Sequence, residues 1–324
     1  MKFLVVVHVV AHLFLATEAC TEIRVPAEDS SVIIGRSMEF QVDLKSNVVI
    51  EPKGHSHTAI LPEKCVQPDL PMRWQNKHSI AYLDAFDLPV GCDGQNEAGL
   101  SVGALYFPGF AKYQNVSEHK CDSSISQLEF AMWILGNFAT VQELREALEK
   151  DSFPLVWDKP LMGDPMDHHY SVQDKTGDGI VIEYTDQGRK VYDNTIGVVT
   201  NSPPYDFQML NIRNYIQISK YAHDPLVLGK EQFNATGQGN GLLGIPGDLT
   251  PPSRLVRAAA MVHFADPVQT AQEAVNLAFH TLNTVDIPIG VARGVVASRD
   301  DKSDYTQWAV AKDLTNNVMY FRSY

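Results

Sequence analysis

Cys20 stands directly after Ala16-Thr17-Glu18-Ala19, which closes a short apolar stretch from Phe3 to Leu15 preceded by the basic residue Lys2. That order of charged, apolar and small residues is the pattern of a secretory signal peptide. Export is therefore expected, with cleavage between Ala19 and Cys20. Cys20 has three readings: an ordinary half-cystine, the lipid-bearing cysteine of a lipoprotein, or a nucleophile with a free α-amine. The lipoprotein signal wants a large aliphatic residue upstream, and Thr17 and Glu18 stand there instead. The third reading is chemically self-contained. A free α-amine titrates at about 7.7 to 8.0 and can take the thiol proton within one residue, so no separate histidine is needed.

Other motifs promise less. Gly239-Asn240-Gly241-Leu242-Leu243-Gly244 fits a dinucleotide fingerprint, but a polar loop precedes it and Pro246 blocks the helix that should receive the pyrophosphate. Asp174 to Gly179 begins like a calcium loop, yet Thr185 occupies the twelfth position, where a bidentate glutamate is needed. It reads as a hairpin turn. His55 with His57, and His168 with His169, have no further ligand at a zinc-like spacing and read as loop and strand surface residues. There is no Gly-x-Ser-x-Gly elbow. No metal or cofactor is expected.

The elements that must carry Cys20 follow from the hydrophobic pattern. Strands are expected at Glu22 to Val25, Ser31 to Phe40, Val48 to Glu51, Ile80 to Leu83 and Gly99 to Phe107. Helices follow at Ile125 to Phe138 and Thr140 to Lys150, the second opened by a Thr140/Glu143 capping box. A second set of strands covers Tyr170 to Val172, Ile180 to Tyr184, Lys190 to Tyr192 and Gly197 to Thr200. Helices return at Phe207 to Ala222, Ser253 to Phe264 and Val268 to Val285, before strands at Tyr305 to Ala311 and Val318 to Arg322. Blocks of strands followed by blocks of helices indicate an α+β fold with mostly antiparallel sheets. No linker or repeat divides the chain, so residues 20–324 read as one domain behind a leader of residues 1–19.

The net charge is −13 and there is no basic cluster, which argues against nucleic acid. No stretch reaches the roughly 20 apolar residues of a membrane span. Four cysteines, at 20, 65, 92 and 121, are too few to build the fold on disulfides. With Cys20 reserved, one internal disulfide at most can form. Asn115 and Asn234 head glycosylation sequons.

Several separated blocks share a likeness. Cys20-Thr21 with Gly35-Arg36-Ser37-Met38-Glu39-Phe40, Asp93-Gly94-Gln95-Asn96-Glu97-Ala98-Gly99-Leu100 with Leu105-Tyr106-Phe107-Pro108, Gly197 to Pro203, and Gly244 to Thr250 with Ser253-Arg254 occur in that order. Together they resemble the choloylglycine hydrolase family, which contains bile salt hydrolases and penicillin V acylases. The resemblance spans Cys20 to about Arg322. It implies a four-layer αββα N-terminal nucleophile hydrolase that cleaves linear amides.

It also implies roles. Cys20 would be the nucleophile and Arg36 a fixed cation beside its sulfur, where positive charge favours thiolate. Glu39 would hold the amine. Asn201 would offer a side-chain N–H, and Tyr106 its backbone N–H, to the oxyanion. Arg254 would steady the site. Glu39 departs from the aspartate usual in the family, and Tyr106 is the alternative that resembles penicillin V acylases rather than the asparagine of bile salt hydrolases. The implied partner is a small acyl amide: penicillin V, an N-acyl amide or an N-acyl homoserine lactone. A bile salt hydrolase and a secreted binding protein that has lost activity are the competing readings. The segment Phe207 to Gly239 would pack against neighbouring subunits in a homotetramer.

Overall fold

A computed structural model describes residues 19–65, 71–161, 163, 166–294 and 302–324. The proposed leader up to Glu18 lies outside the described residues. The chain opens on β1 (Cys20–Pro26), β2 (Val32–Phe40), β3 (Val48–Glu51), β4 (Ser56–Thr58), β5 (Arg73–Gln75), β6 (Ile80–Ala85), β7 (Leu88–Asn96) and β8 (Leu100–Tyr106). After β9 (Ser124–Ser126) come α1 (Gln127–Asn137), α2 (Val141–Leu148) and β10 (Leu155–Trp157). β11 (His168–Asp174), β12 (Gly179–Thr185), β13 (Gly188–Asp193) and β14 (Val198–Val199) precede α3 (Tyr205–Asn211), β15 (Leu226–Leu228) and β16 (Glu231–Phe233). The helices α4 (Pro251–Phe264) and α5 (Ala271–Asn283) lead to β17 (Ala292–Arg293), β18 (Ser303–Asp313) and β19 (Val318–Ser323).

Two large antiparallel sheets result, beside the two-stranded pairings β4-β5, β9-β10 and β15-β16 among the described residues. The first runs β14-β1-β2-β18-β17, with β19 also on β18, and the second runs β13-β12-β11-β8-β7-β6-β3. Alternating side chains give three apolar cores. Ile23, Val25, Ile33 and Ala311 meet Leu255, Ala258, Val275 and Ala278 of the α4/α5 layer. Val102, Tyr170 and Ile182 meet Phe130, Ile134 and Leu144 of the α1/α2 layer. Cys20, Met38, Leu83, Leu105, Val181, Trp308 and Val310 fill the space between the sheets. The order of layers is therefore αββα, as the resemblance implies, within the α+β class that the strand and helix blocks indicate.

Gly35 allows α5 to lie close, since a Cβ there would meet Ile23 Cγ1 at 3.1 Å and the Ala278 methyl at 3.2 Å. The capping at α2 is slightly displaced from expectation: Thr140 Oγ1 accepts the Glu143 N–H, but Glu143 reaches back to Ala139 N at 2.8 Å. The Asp174 turn is a hairpin, with Asp174 Oδ1 accepting from Thr176 N at 2.9 Å.

One helix is corrected. Instead of running from Phe207 to Ala222, α3 ends at Asn211, a short 3-10 turn covers Ile212–Tyr215, and the rest is not helical. Ile216 and Tyr221 are exposed, at 86% and 72%, so the apolar spacing there has no core to dock against. Cys65 and Cys121 form the internal disulfide, while Cys20 and Cys92 are free and buried. Among the described residues no helix is long and apolar enough to cross a membrane.

Candidate active site

Cys20 starts β1, whose pairing with β2 sets Cys20 opposite Met38 and points both side chains into the space between the sheets. The same alternation brings Arg36 to that face. Its Nη2 lies 3.5 Å from Cys20 Sγ and donates to Ala104 O at 2.6 Å, while Nη1 donates to Cys92 O. Arg36 is fully buried. A buried guanidinium needs countercharge and filled hydrogen bonds, and Asp93 supplies the first at 3.4 Å. Asp93 also accepts from Lys312 Nζ at 2.5 Å, and Lys312 lies 3.8 Å from Glu22. Two cations and two carboxylates thus balance between the sheets. Burial opposes the Arg36 charge, yet Cys20 and Asp93 outweigh it and raise its pKa. Gly103 leaves room for this cluster, since a Cβ there would fall 2.5 Å from Glu22 Oε2.

The backbone of Cys20 is held as tightly. Its N–H donates to Asn201 Oδ1 at 2.6 Å, and its carbonyl accepts from Arg254 Nη1 at 2.6 Å. Arg254, projecting from α4, also reaches Thr21 Oγ1 and Asn201 Oδ1, each at 2.6 Å. A guanidinium fork suits this bridging, because it presents several fixed donors at once. Asn201 Nδ2 donates to the Tyr106 carbonyl at 2.8 Å, tying the first sheet's β14 end to the end of β8. Cys20, Arg36, Tyr106, Asn201 and Arg254 are thereby linked through direct contacts.

Glu39 lines the same pocket as Cys20, and its buried carboxylate accepts from Thr306 Oγ1 at 2.9 Å through Oε1 while Oε2 makes no hydrogen bond among the described residues. Its own backbone N–H donates to Ala19 O at 2.9 Å. In the described residues Asn201, rather than Glu39, receives the Cys20 N–H. With Ala19 still attached that nitrogen is a peptide with one hydrogen, whereas a free amine would carry further donors.

Burial pushes the Glu39 pKa up to about 7, against the pull of Arg254 and its hydrogen bonds. The unfolded value is 4.5, so the folded state binds the proton more tightly. The stabilisation is complete below pH 4.5 and is lost as pH rises through about 7. Its size is on the order of 3 kcal/mol. Urea midpoints at pH 5 and pH 8 should therefore differ less in Glu39→Gln than in the wild type; an unchanged difference would remove Glu39 as the source.

Cys20 opens on a pocket lined mainly by apolar groups, among them Met38, Phe40, Leu44, Val90, Leu161 and Met166, with Tyr106 and His168 on its wall. Burial lowers the His168 pKa to about 3, which keeps the ring neutral. Burial also raises the Cys92 thiol to about 12, so Cys92 does not compete as a thiolate.

Both histidine pairs differ from expectation. His168 and His169 are buried because β11 is a central strand covered on both faces. His169 Nδ1 lies 3.1 Å from Glu183 and Nε2 lies 2.8 Å from Thr200 O. It braces the turn that carries Asn201, helped by Gln208, whose Nε2 donates to Asn201 O. His55 is exposed as expected, but His57 is partly covered, stacked on Trp74 and 3.0 Å from Glu51. Glu22, Lys312 and Gln208 are supporting residues that the motifs did not single out, and Asp93 and His169 are named there without a supporting role.

A buried sulfur beside a fixed cation, on an apolar pocket and next to convergent donors, has the surroundings that attack on an acyl carbon needs. Known proteins point the same way. Residues 20–324 match the family described as linear amide C-N hydrolases, choloylglycine hydrolase family. The chain belongs to the choloylglycine hydrolase family.

Its sequence is 29% identical over 311 residues to the bile salt hydrolase/transferase of Clostridium perfringens, covering 94% of this chain and 89% of that one. It is 30% identical to the bile salt hydrolase/transferase of Lactiplantibacillus plantarum, over 90% and 85% of the two chains. A mutant conjugated bile acid hydrolase from Clostridium perfringens superposes with a TM-score of 0.80 at 31% identity, over 94% and 89% of the chains. The penicillin V acylase of Agrobacterium tumefaciens shares the fold, with a TM-score of 0.74 at 24% identity over 94% and 83%. As a choloylglycine hydrolase family member the chain is a hydrolase of carbon-nitrogen bonds in linear amides, with the N-terminal nucleophile hydrolase fold.

Proposed function

We propose that the protein is exported, that cleavage after Ala19 uncovers Cys20, and that Cys20 cleaves amides bearing an apolar or aromatic acyl group. The observation that carries this reading is the meeting of Cys20 Sγ, Arg36 and the Asn201–Arg254 clamp at the end of an apolar pocket. In the reaction the α-amine takes the thiol proton and the thiolate attacks the acyl carbon. The tetrahedral oxyanion is met by donors at Asn201 and Tyr106, each worth roughly 2.7 to 4 kcal/mol when preorganised. The amine then protonates the leaving nitrogen, and water hydrolyses the thioester. Asn201 has two N–H hydrogens, and the Tyr106 carbonyl engages one.

Glu39, on the wall of the Cys20 pocket, would hold the freed amine in position. The Cys65–Cys121 disulfide supports an oxidising compartment. Asn115 and Asn234 are exposed, as glycan carriers would be. The exposed apolar hairpin, with Leu226, Val227, Leu228 and Phe233 each more than half exposed, supports the homotetramer.

Tyr106 on the pocket wall favours an acylase that takes phenoxyacetyl or long-chain acyl amides. The second reading, hydrolysis of conjugated bile acids, rests on the similarity to bile salt hydrolases. Steady-state assays of the processed protein on phenoxyacetyl, long-chain acyl and glycine-conjugated bile acid amides separate the two. The first reading expects kcat/KM for a phenoxyacetyl or long-chain substrate at least about tenfold above that for the bile conjugate, a difference of about 1.4 kcal/mol. The reverse order establishes the second reading, and turnover of none leaves a binding protein.

A further inference from the structure

On the other side of the second sheet from Cys20, three side chains with metal-binding atoms converge. Glu51 ends β3, His55 lies in the turn that follows and His57 lies in β4. Their ligand atoms all fall within 4.8 Å of one another. His57 Nε2 is 3.0 Å from Glu51 Oε2, yet this buried nitrogen makes no aligned hydrogen bond. Neighbouring Trp74 and Tyr82 belong to the core under α1, whereas Cys20 belongs to the core between the sheets.

The three groups are held in place by their surroundings. His55 N donates to Pro52 O at 3.1 Å, Gly54 N donates to Asn76 O at 2.7 Å, and Asn76 N donates back to His55 O at 2.9 Å. Gly54 takes a φ of +84°, which lets the turn close tightly. The His57 ring stacks on Trp74 with centroids 4.7 Å apart and planes 8° from parallel. Glu51 is oriented by Asn76 Nδ2, 3.0 Å from Oε2, and by the Tyr82 hydroxyl, 3.2 Å from Oε1. Outer hydrogen bonds of this kind fix the direction of a ligating carboxylate.

We propose that Glu51, His55 and His57 form a binding site for a first-row divalent cation of the zinc class. Two imidazoles with one carboxylate suit zinc, cobalt or nickel, whereas calcium and magnesium favour all-oxygen sets. Three protein ligands leave a fourth tetrahedral position for water. Bonds of about 2.0 to 2.2 Å put tetrahedral ligands roughly 3.4 Å apart, which small rotations of the exposed His55 ring achieve. The ion would tie the end of β3 to the turn and to β4. It takes no part in the chemistry at Cys20.

The test uses the Cys20→Ala chain without a polyhistidine tag, so that the active-site thiol does not compete for metal. Titration with cobalt chloride, followed by visible absorption, and with zinc chloride, followed by calorimetry, should show one tight equivalent. Zinc should raise the Tm of this parent. His55→Ala, at an exposed position that leaves the fold intact by circular dichroism, should weaken binding by at least about tenfold and abolish the Tm shift. His57→Ala and Glu51→Gln should weaken it as much. Binding of His55→Ala as tight as that of the parent, or no stoichiometric binding by the parent, would overturn the site.

Discussion

Cys20→Ala is expected to lower kcat for acyl-amide hydrolysis by about 10,000-fold or more, because nucleophile and base both belong to this residue and effects at such a unit are not shared out among neighbours. Processing would still leave an α-amine on the alanine, so the loss isolates the sulfur. The fold should survive. Besides Arg36, Sγ meets Met38 Sδ at 3.7 Å, and truncation removes one buried sulfur from the core between the sheets. The stability cost should be within the ordinary range of about 1 to 3 kcal/mol for a core substitution. Circular dichroism and urea unfolding check the fold, and single-turnover kinetics check the rate. Turnover within a few-fold of wild type would refute the nucleophile.

Arg254→Met should damage both stability and rate. The side chain is fully buried, and its loss leaves Cys20 O, Thr21 Oγ1 and Asn201 Oδ1 without their shared donor. It also removes the stronger of the two positive charges that act on Glu39, leaving Arg36. Removing one partner from a buried charge network costs about 3 to 5 kcal/mol. The rate should fall about 100-fold, since Asn201 and the Cys20 backbone lose their common anchor and a displacement near 1 Å has that effect. Arg254→Lys should lie between the two, because an ammonium is a point charge that cannot span three acceptors as a fork. Denaturant unfolding and kcat measured on the same preparations check both effects. A kcat unchanged in Arg254→Met would show that the clamp is structural alone.

Much of the fold was legible because alternation in the strands and period in the helices matched the layers. β7 was not. Its span contains Pro89, Gly91 and Gly94, which read as turn residues. The structure gives the reason for the glycines: a Cβ at Gly91 would meet Met132 Cγ at 2.6 Å, and one at Gly94 would meet Leu135 Cδ1 at 2.8 Å, so α1 lies directly on them. A strand selected for close contact with a helix loses the β-branched residues that announce strands. Glu22 and Lys312 mislead in another way, since charges in a strand normally mark a solvent face. Here a second sheet covers that face and the charges neutralise each other.

The site was legible only in part. Cys20 stood out from its place after the leader-like segment, but Arg36, Tyr106, Asn201 and Arg254 took meaning from resemblance. Taken singly, Arg36 and Arg254 would pass for buried ion-pair residues and Asn201 for a turn cap. Their convergence depends on contacts between positions as remote as Cys20 and Arg254, which no local pattern encodes. Glu39 too took its role from resemblance: its carboxylate reaches Thr306 and lines the Cys20 pocket, while Asn201 accepts the Cys20 N–H. Glu51 escaped notice beside His55 and His57 because it precedes a turn, and the turn brings it back to them.

The central claim is that Cys20, as the first residue of the processed chain, carries the acyl group. It is tested most directly by quenching the working enzyme with acid during turnover of an accepted acyl amide, then mapping the protein by mass spectrometry. The account predicts an added acyl mass on a peptide that begins at Cys20, released by hydroxylamine as a thioester. An acyl group on any other residue, or full activity in a chain that keeps residues 1–19, would contradict it.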